Sequence, residues 1–257
     1  MAITLESIKL SKKSAKRILV YGVQGIGKTK LARLLDNSLF LCTEKGFGDF
    51  ENQPYIEINT VTDIIEAITL LYEEETGFEY LVIDTISAME SLIHEKMLSD
   101  WNVESLDKVG TNGGGWYKWR LEALPIWSQI IQGLEALREV KGINIILLGH
   151  SASKEERPPN ADPYNKYTLD LLNKEVSSLI YRWVDVIAFY NYETSFKTVG
   201  SGKAAKKQAT GTPKRVIYLA ERATAYAKCR YEGISVKLEI DQNCTAFFDA
   251  FDLKSIS

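Results

Sequence analysis

The feature that most constrains the fold is a glycine-rich octapeptide lying between an apolar run and an amphipathic run. It reads GVQGIGKT over residues 22–29 and satisfies the pattern G-x-x-x-x-G-K-T. The apolar run before it, residues 17–21, predicts a buried parallel strand, and Leu31, Leu34 and Leu35 after it have helical spacing. Glycines let backbone N–H groups converge on one point, and the helix adds its positive N-terminal dipole. The sequence therefore predicts a strand–loop–helix unit that binds phosphate groups.

Two side chains of this loop are suited to a nucleotide. Lys28 is expected to reach the terminal phosphates, and the Thr29 hydroxyl is expected to bind magnesium, so ATP and Mg²⁺ are the predicted cofactors. A chance glycine turn is the alternative, and the strand and helix on either side argue against it. The candidate nucleotide-binding residues are Gly22, Val23, Gln24, Gly25, Ile26, Gly27, Lys28, Thr29 and Lys30.

Strand and helix patterns alternate through the first 150 residues. Further strands are predicted at residues 39–42, 55–58, 80–83 and 143–148. Helices are predicted at about residues 64–72, with Thr62 as N-cap, and at about 86–98 and 120–140. Alternating strands and helices imply right-handed crossovers, so the fold class is α/β with a doubly wound, mainly parallel sheet.

The last third of the chain has a different character. Residues 184–192, 216–219 and 234–240 are rich in β-branched and aromatic side chains, which favours antiparallel strands at the sheet edge near the C-terminus. Three segments have no clear strand or helix pattern: 102–115, 151–167 and 197–215. Loops of such length are usually functional or disordered. No repeat or linker divides the chain, so we expect a single domain over residues 1–257.

Composition narrows the class of protein. The chain has 257 residues, of which 45% are hydrophobic and 25% charged, as in ordinary globular domains. Its apolar runs are far shorter than the roughly 20 residues of a membrane span, and its N-terminus lacks the apolar core of a secretory signal. We therefore expect a cytoplasmic protein with no membrane partner. Three cysteines without CxxC spacing and two histidines favour neither a disulfide framework nor a zinc site. The net charge of −3 means that any nucleic-acid surface must be local.

A carboxylate at the end of an apolar strand complements the phosphate loop. Asp84 directly follows the run 80–83 and is expected to join Thr29 in the magnesium shell. The next residue is Thr85 rather than the glutamate that many ring ATPases place there. A carboxylate that activates water must therefore come from another part of the chain.

Glu44 is the candidate for that carboxylate. It lies just past the strand 39–42, and nucleotide chemistry takes place at the carboxyl ends of strands in open sheets. The alternative is a solvated loop glutamate. His150 ends the strand 143–148 and is expected to reach the same crevice, where it could sense the terminal phosphate or serve a structural role.

These residues together resemble the RecA-type ATPase core. The resemblance rests on the phosphate loop, on Asp84 followed by Thr85, on Glu44, and on a polar residue that closes the fourth core strand. It covers about residues 16–240 and is similar in particular to short phage-encoded RecA-like proteins of recombination and single-strand annealing. It implies a RecA-like sheet, Glu44 as catalytic base, and His150 in place of the glutamine that couples nucleotide state to a DNA-binding loop. It also implies a location in the host cytoplasm.

A second resemblance concerns Lys228 and Arg230. They are similar to the lysine-x-arginine segment that RadA-like and replicative-helicase relatives present to the nucleotide of a neighbouring subunit. Two cations at i and i+2 of a strand point to the same side, so both could face one phosphate group. A solvated basic strand is the alternative.

Three segments are candidates for binding single-stranded DNA. In RecA-like proteins the DNA-binding loops follow the third and fourth core strands, which correspond here to about residues 102–119 and 151–167. Both combine glycine or proline with aromatic and cationic residues, which suit stacking on bases. Trp116 and Trp119 have helical spacing, so anchoring the next helix is their alternative role. Residues 197–215 form the most basic stretch and could neutralise phosphates: Lys197, Lys203, Lys206, Lys207, Lys214 and Arg215.

The sequence thus predicts a magnesium- and ATP-dependent recombinase or annealing protein of RecA type that assembles head to tail on single-stranded DNA. Its expected partners are single-stranded DNA, further copies of the chain in a ring or filament, and a single-strand-binding protein. The alternative is a nucleotide-gated loader that acts on a replication protein. A small-molecule kinase uses the same loop, but the pair Lys228 and Arg230 and the lack of an arginine-rich lid argue against it.

Overall fold

The computed structural model describes residues 14–45, 51–110, 115, 117–160, 162–199 and 206–256, with backbone alone for 194–199 and 206–212. Its strands are β1 (Arg17–Gly22), β2 (Ser38–Cys42), β3 (Tyr55–Glu57), β4 (Tyr80–Asp84), β5 (Asn144–Glu156), β6 (Tyr164–Leu169), β7 (Val186–Val199), β8 (Lys206–Tyr218), β9 (Lys228–Cys229) and β10 (Lys237–Ile240). Its helices are α1 (Lys28–Arg33), α2 (Val61–Glu73), α3 (Ile86–Asp100), α4 (Trp119–Ala136), α5 (Lys174–Trp183) and α6 (Thr245–Phe251). A π-helical turn, Leu137–Lys141, prolongs α4.

The strands form one mixed sheet with the order β10-β8-β7-β1-β5-β4-β2-β3. All neighbours from β7 to β3 pair in parallel, which confirms the predicted doubly wound core. Strands β8 and β10 are antiparallel, as predicted for the C-terminal edge. The prediction for residues 184–192 was only half right, because β7 pairs in parallel with β1 and antiparallel with β8.

Apolar side chains alternate between the two faces of the sheet. On one face, Leu19 and Ile83 are buried beneath α2, α3, α4 and α5. On the other, Val20 and Val82 are buried with residues of α1 and α6. This period of two along strands buried on both sides is what a doubly wound sheet requires. Within the described ranges, no helix is long and apolar enough to cross a bilayer.

The predicted N-cap of α2 was two residues too late. Thr60, rather than Thr62, caps the helix, and its hydroxyl accepts a hydrogen bond from the Asp63 N–H. The Asp63 carboxylate accepts a bond from the Thr60 N–H at 2.9 Å, which completes a capping box.

Two segments that resisted assignment from sequence are β-hairpins. Residues 151–167 were predicted as a loop, but β5 continues to Glu156 and pairs antiparallel with β6. Residues 197–215 lie largely in the paired ends of β7 and β8, with residues 200–205 outside the described residues. Their composition hid the pairing, because glycine, proline and lysine are uncommon in strands.

Candidate nucleotide-binding site

The phosphate loop lies at the carboxyl end of β1, and two of its glycines have no substitute. A Cβ atom on Gly22 would lie 2.0 Å from the Tyr190 carbonyl oxygen of β7. Gly27 has a φ of 107°, a left-handed conformation that side chains rarely adopt. Its carbonyl accepts the Leu31 N–H at 2.9 Å, so α1 begins directly from the loop. The sequence motif therefore folds as the strand–loop–helix unit that it predicts.

The Lys28 side chain lies inside this loop. Its Nζ donates hydrogen bonds to the carbonyl oxygens of Gly22 at 3.0 Å and Val23 at 3.2 Å. Burial lowers the pKa of Lys28, while the nearby carboxylates of Asp84 and Glu44 act in the opposite direction. The ammonium group is thus held inside the loop. Phosphate oxygens bound there could accept charge-assisted hydrogen bonds from it, which are stronger than its bonds to the two carbonyl oxygens.

Thr29 and Asp84 supply a pair of oxygens suited to magnesium. The Thr29 Oγ1 donates to Asp84 Oδ2 at 2.7 Å. Neighbouring ligands of an octahedral Mg²⁺ with bonds of about 2.1 Å lie about 3 Å apart, so the pair matches the ion's geometry with little movement. Burial raises the pKa of Asp84, and a bound cation would favour its ionised form.

The described residues contain no cluster of three or more acidic, histidine or cysteine side chains that could hold a metal. This suits Mg²⁺, which takes one or two protein oxygens and completes its shell with phosphate and water. When bound next to Thr29 and Asp84, the ion would neutralise negative charge on the phosphates.

Glu44 and His150 meet at this edge of the sheet. The Thr85 hydroxyl donates a 2.6 Å hydrogen bond to Glu44 Oε1, and His150 Nε2 lies 2.9 Å from the same oxygen. The hydrogen bond with His150 is the main cause that lowers the pKa of Glu44; burial opposes it, and Thr85 adds to it. In the described part of the chain no group hydrogen-bonds to the second oxygen, Oε2, which can therefore accept a proton from water.

Thr85 is a site residue that sequence reasoning missed. Besides holding Glu44, its hydroxyl accepts the Ala88 N–H at 3.2 Å and caps α3. Its backbone also exchanges two hydrogen bonds with the Thr43 hydroxyl, at 2.7 and 2.8 Å, which joins the ends of β2 and β4. A threonine directly before a predicted helix was the available signal.

Lys228 and Arg230 lie far from the phosphate loop of their own chain. Lys228 Nζ donates to the carbonyl oxygens of Val184 at 2.6 Å and Tyr181, and Arg230 pairs with Asp185 at 3.2 Å. Asp185 is bonded to Arg17 at the start of β1, five residues before Gly22. Five residues of strand at about 3.3 Å each place Arg17 roughly 17 Å from Gly22, and Arg230 lies beside Asp185 at this far end of β1.

Both cations line one open groove of about 540 Å³ between α5 and the β5–β6 hairpin. The stacked rings of Tyr181 and Tyr226, with centroids 4.6 Å apart, line it as well. Cations outnumber carboxylates along the groove, which favours an anionic occupant. Its charged residues are Lys154, Lys174, Arg182, Lys228, Arg230, Glu155 and Glu156.

Side chains of the segment 102–119 divide between core and surface. Trp119 is buried and contacts His94 edge-on, with centroids 5.0 Å apart, so it anchors α4. Tyr117 is 56% exposed, and the Arg120 guanidinium lies 4.3 Å from its ring centroid. Trp116 lies outside the described residues.

The segment 151–167 offers fewer free groups than its sequence suggested. Lys166 is buried and pairs with Glu221 at 2.5 Å, and Tyr167 stacks on Phe189 with centroids 5.2 Å apart. Lys154 donates to the Leu171 carbonyl at 3.0 Å. Arg157 remains exposed at the hairpin tip, close to Glu155. The side chains of Lys166 and Tyr167 are therefore engaged in contacts within the fold.

Most of the basic segment 197–215 falls beyond the described side chains. Lys203 lies outside the described residues, and only backbone is described at Lys197, Lys206 and Lys207. Lys214 is exposed and pairs with Glu239 at 2.6 Å. Arg215, at the base of the hairpin, lies beside Gly27 of the phosphate loop, a contact that the strand order creates.

A comparison with protein-family models matches residues 14–231 to a family described as an AAA domain. The chain belongs to this family. It is a protein of the P-loop ATPase type. The match does not single out the RecA-type recombination class.

A relative from Bacillus subtilis (strain 168), the SPbeta prophage-derived uncharacterized protein YorG, is 23% identical over 145 residues. The aligned part is 55% of this chain and 42% of the relative, so the chain matches less than half of that protein's length.

Proposed function

We propose that the protein is a magnesium-dependent ATPase of RecA type that acts on single-stranded DNA in recombination or strand annealing. The observation that carries the ATPase part is the position of the Glu44 carboxylate. Thr85 and His150 hold it at the same sheet edge as the pair Thr29 and Asp84. A base, a magnesium pair and a phosphate loop at one sheet edge suit in-line attack of water on the terminal phosphate. Lys28 would hold that phosphate, and Glu44 Oε2 would take the water's proton.

His150 links this site to a candidate DNA-binding element. It is paired with Gly22 in the β1–β5 register and lies at the base of the β5–β6 hairpin, directly before Ser151. A change at the terminal phosphate would act on Glu44, then on His150, and so on the hairpin. This path supports coupling between nucleotide state and DNA binding.

Head-to-tail assembly is supported by the position of Lys228 and Arg230. They are too far from their own nucleotide to serve it, and they lie in a groove where cations outnumber carboxylates. A neighbouring protomer that inserts its nucleotide edge into this groove would meet both. A cation supplied in this way by another subunit can contribute on the order of 10³ or more in rate.

The remaining parts of the proposal concern partners and location. Single-stranded DNA would contact the basic hairpin of β7 and β8 and the exposed Tyr117, with a single-strand-binding protein as a further partner. The similarity to a protein named as prophage-derived supports a phage origin and action in the host cytoplasm.

The first experiment measures ATP hydrolysis with and without single-stranded DNA. We expect DNA to stimulate turnover, and Lys28→Ala to abolish it. A Lys28→Ala variant with wild-type turnover would remove the phosphate loop from the mechanism. Stimulation by a replication protein, with no effect of DNA, would replace the recombinase proposal with the loader alternative.

The second experiment tests the shared site. Arg230→Ala should bind nucleotide normally and lose DNA-stimulated turnover. The control variant Arg222→Ala removes a cation that is stacked on Tyr218 outside the groove. It should retain both nucleotide binding and DNA-stimulated turnover. A mixture of Arg230→Ala and Lys28→Ala should regain part of the activity, because mixed interfaces join an intact loop to an intact Arg230. If the two variants co-assemble on DNA and the mixture stays inactive, nucleotide is not shared between protomers.

A further inference from the structure

The base of the β7–β8 hairpin touches the phosphate loop through Arg215. A Cβ atom built on Gly27 would lie 3.2 Å from Arg215 Nη1 and 3.9 Å from the Tyr190 hydroxyl. Gly27 directly precedes Lys28, so a guanidinium from a strand distant in sequence reaches the N-cap residue of α1. The Tyr192–Arg215 pairing in the β7–β8 register fixes this position.

Among the described residues, Arg215 has no ion-pair partner. Its Nη2 donates to the Asp241 carbonyl oxygen at 3.3 Å. Its neighbour Lys214, by contrast, pairs with Glu239. A half-buried guanidinium with donors to spare is a strong binding group for phosphate oxygens.

Tyr190 adds a second polar group at the same place. Its side chain is fully buried, and among the described residues no hydrogen bond to its hydroxyl has adequate geometry, although the Arg215 side chain lies close enough to interact with it. Burial raises its pKa to about 12, against the opposing effect of the Arg215 cation. Arg215 and Tyr190 thus place two polar groups beside Gly27, and a phosphate oxygen at the loop could accept a hydrogen bond from each of them.

The strand order decides which part of a nucleotide Arg215 can meet. Strands β7 and β8 lie on one side of β1, whereas β5, β4 and β2 lie on the other. Of these three strands, β5 contains His150, β4 ends at Asp84, and β2 ends two residues before Glu44. The terminal phosphate must face the Glu44 side for hydrolysis. Arg215 therefore approaches the phosphates from the opposite side, next to the loop backbone at Gly27.

We propose that Arg215 is a nucleotide-binding residue that contacts the phosphates shared by ADP and ATP. The inference rests on the proposed placement of nucleotide in the phosphate loop. Arg215 contributes to affinity and not to the hydrolytic step, and it holds the base of the basic hairpin against the nucleotide. Arg215 thus belongs to the nucleotide site, although its sequence neighbours form the basic hairpin.

The test is equilibrium binding of ADP and of a non-hydrolysable ATP analogue, measured by calorimetry without DNA. Arg215→Ala should weaken both by a similar factor, about tenfold to a hundredfold, as expected for one charge-assisted bond. Arg215→Lys should lose less. Lys214→Ala is the matched control, because it removes the same charge one residue away, and it should stay within about twofold of wild type.

Turnover at saturating ATP should be nearly unchanged in Arg215→Ala, with the loss confined to KM. Unchanged affinity for both nucleotides, or a loss restricted to the ATP analogue, would overturn the assignment to the shared phosphates. If Arg215→Ala does not fold, Arg215→Gln carries the same test, since its amide can still donate to the Asp241 carbonyl.

Lys28→Ala separates this inference from the proposed function. If Lys28→Ala binds ADP and ATP like wild type, the nucleotide site itself is misplaced. If Lys28→Ala loses affinity while all Arg215 variants keep it, only the role of Arg215 is wrong.

Discussion

Replacing Thr85 tests how the candidate base is held. Its hydroxyl donates to Glu44 Oε1 at 2.6 Å and accepts the Ala88 N–H at 3.2 Å. Thr85→Ala removes both interactions. Thr85→Ser retains the hydroxyl and serves as the matched control.

The two lost interactions predict effects of different size on turnover and on stability. A hydrogen bond to a charged group contributes about 1.5–3 kcal/mol, and about 1.4 kcal/mol corresponds to a factor of ten. If Glu44 needs this bond for its orientation, kcat falls by about tenfold to a hundredfold. Loss of the N-cap hydroxyl of α3 lowers the free energy of unfolding by about 1 kcal/mol. KM for ATP changes little, because the phosphate loop is untouched.

The pH dependence gives a second, independent signature. The Thr85 hydrogen bond is one of the causes that lower the pKa of Glu44, after that of His150. Without it the pKa of Glu44 rises, and the carboxylate becomes protonated at a higher pH. The acidic limb of the kcat profile therefore moves to higher pH in Thr85→Ala and stays in place in Thr85→Ser.

The assay is phosphate release at saturating ATP across acidic and neutral pH, with urea unfolding on the same preparations. A Thr85→Ala variant with wild-type kcat and an unmoved acidic limb would refute the orientation of a catalytic Glu44 by Thr85. An equal loss in Thr85→Ser would refute it as well, because the hydroxyl is still present there.

Three further predictions follow from other parts of the molecule. Glu44→Gln should retain ATP binding and lose hydrolysis, since an amide cannot accept the water's proton; calorimetry beside a turnover assay checks this, and unchanged turnover would place the base elsewhere. Neutralising Lys203, Lys206 and Lys207 together should flatten the dependence of log affinity for single-stranded DNA on log salt by about 0.7 for each lost phosphate contact; an unchanged slope would exclude the hairpin from binding. Asp185→Asn should lower the free energy of unfolding by about 2 kcal/mol near neutral pH, because it weakens the charge-assisted hydrogen bonds between the buried Asp185 carboxylate and Arg17. Burial raises the pKa of Asp185, but the bonds to Arg17 outweigh it and lower the pKa overall. The loss of unfolding free energy should therefore be complete above about pH 4 and vanish as the pH falls through the folded-state pKa. A loss that persists in acid would show that ionisation of Asp185 is not its source.

The two adjacent cations at the hairpin base show how position changes the role of a residue. Lys214 and Arg215 belong to one basic stretch of sequence, yet Lys214 faces solvent and a surface carboxylate while Arg215 meets the phosphate loop. Successive side chains of a strand point to opposite faces, so neighbours in a charge run can have unrelated partners.

The sequence by itself determined the features that depend on residues close together along the chain. The loop from Gly22 to Thr29 needs a preceding strand, glycines at fixed positions and a following helix within one short segment. The motif shows the glycines, and the periodicity on either side shows the strand and the helix. The alternation of strands and helices, together with the right-handed crossover rule, then led to a doubly wound sheet and to Asp84 at a strand end. His150 was predicted to end its strand, but it lies inside β5, which continues to Glu156.

Only the tertiary structure decided what depends on strand order and register. The hairpin of β5 and β6, the burial of Lys166, the distance of Arg230 from its own loop and the contact of Arg215 with Gly27 all join residues far apart in sequence. Thr85 becomes the support of Glu44 because β2 and β4 are neighbours in the sheet. Pairing between distant segments is set by the packing of the whole chain, and local side-chain patterns do not encode it.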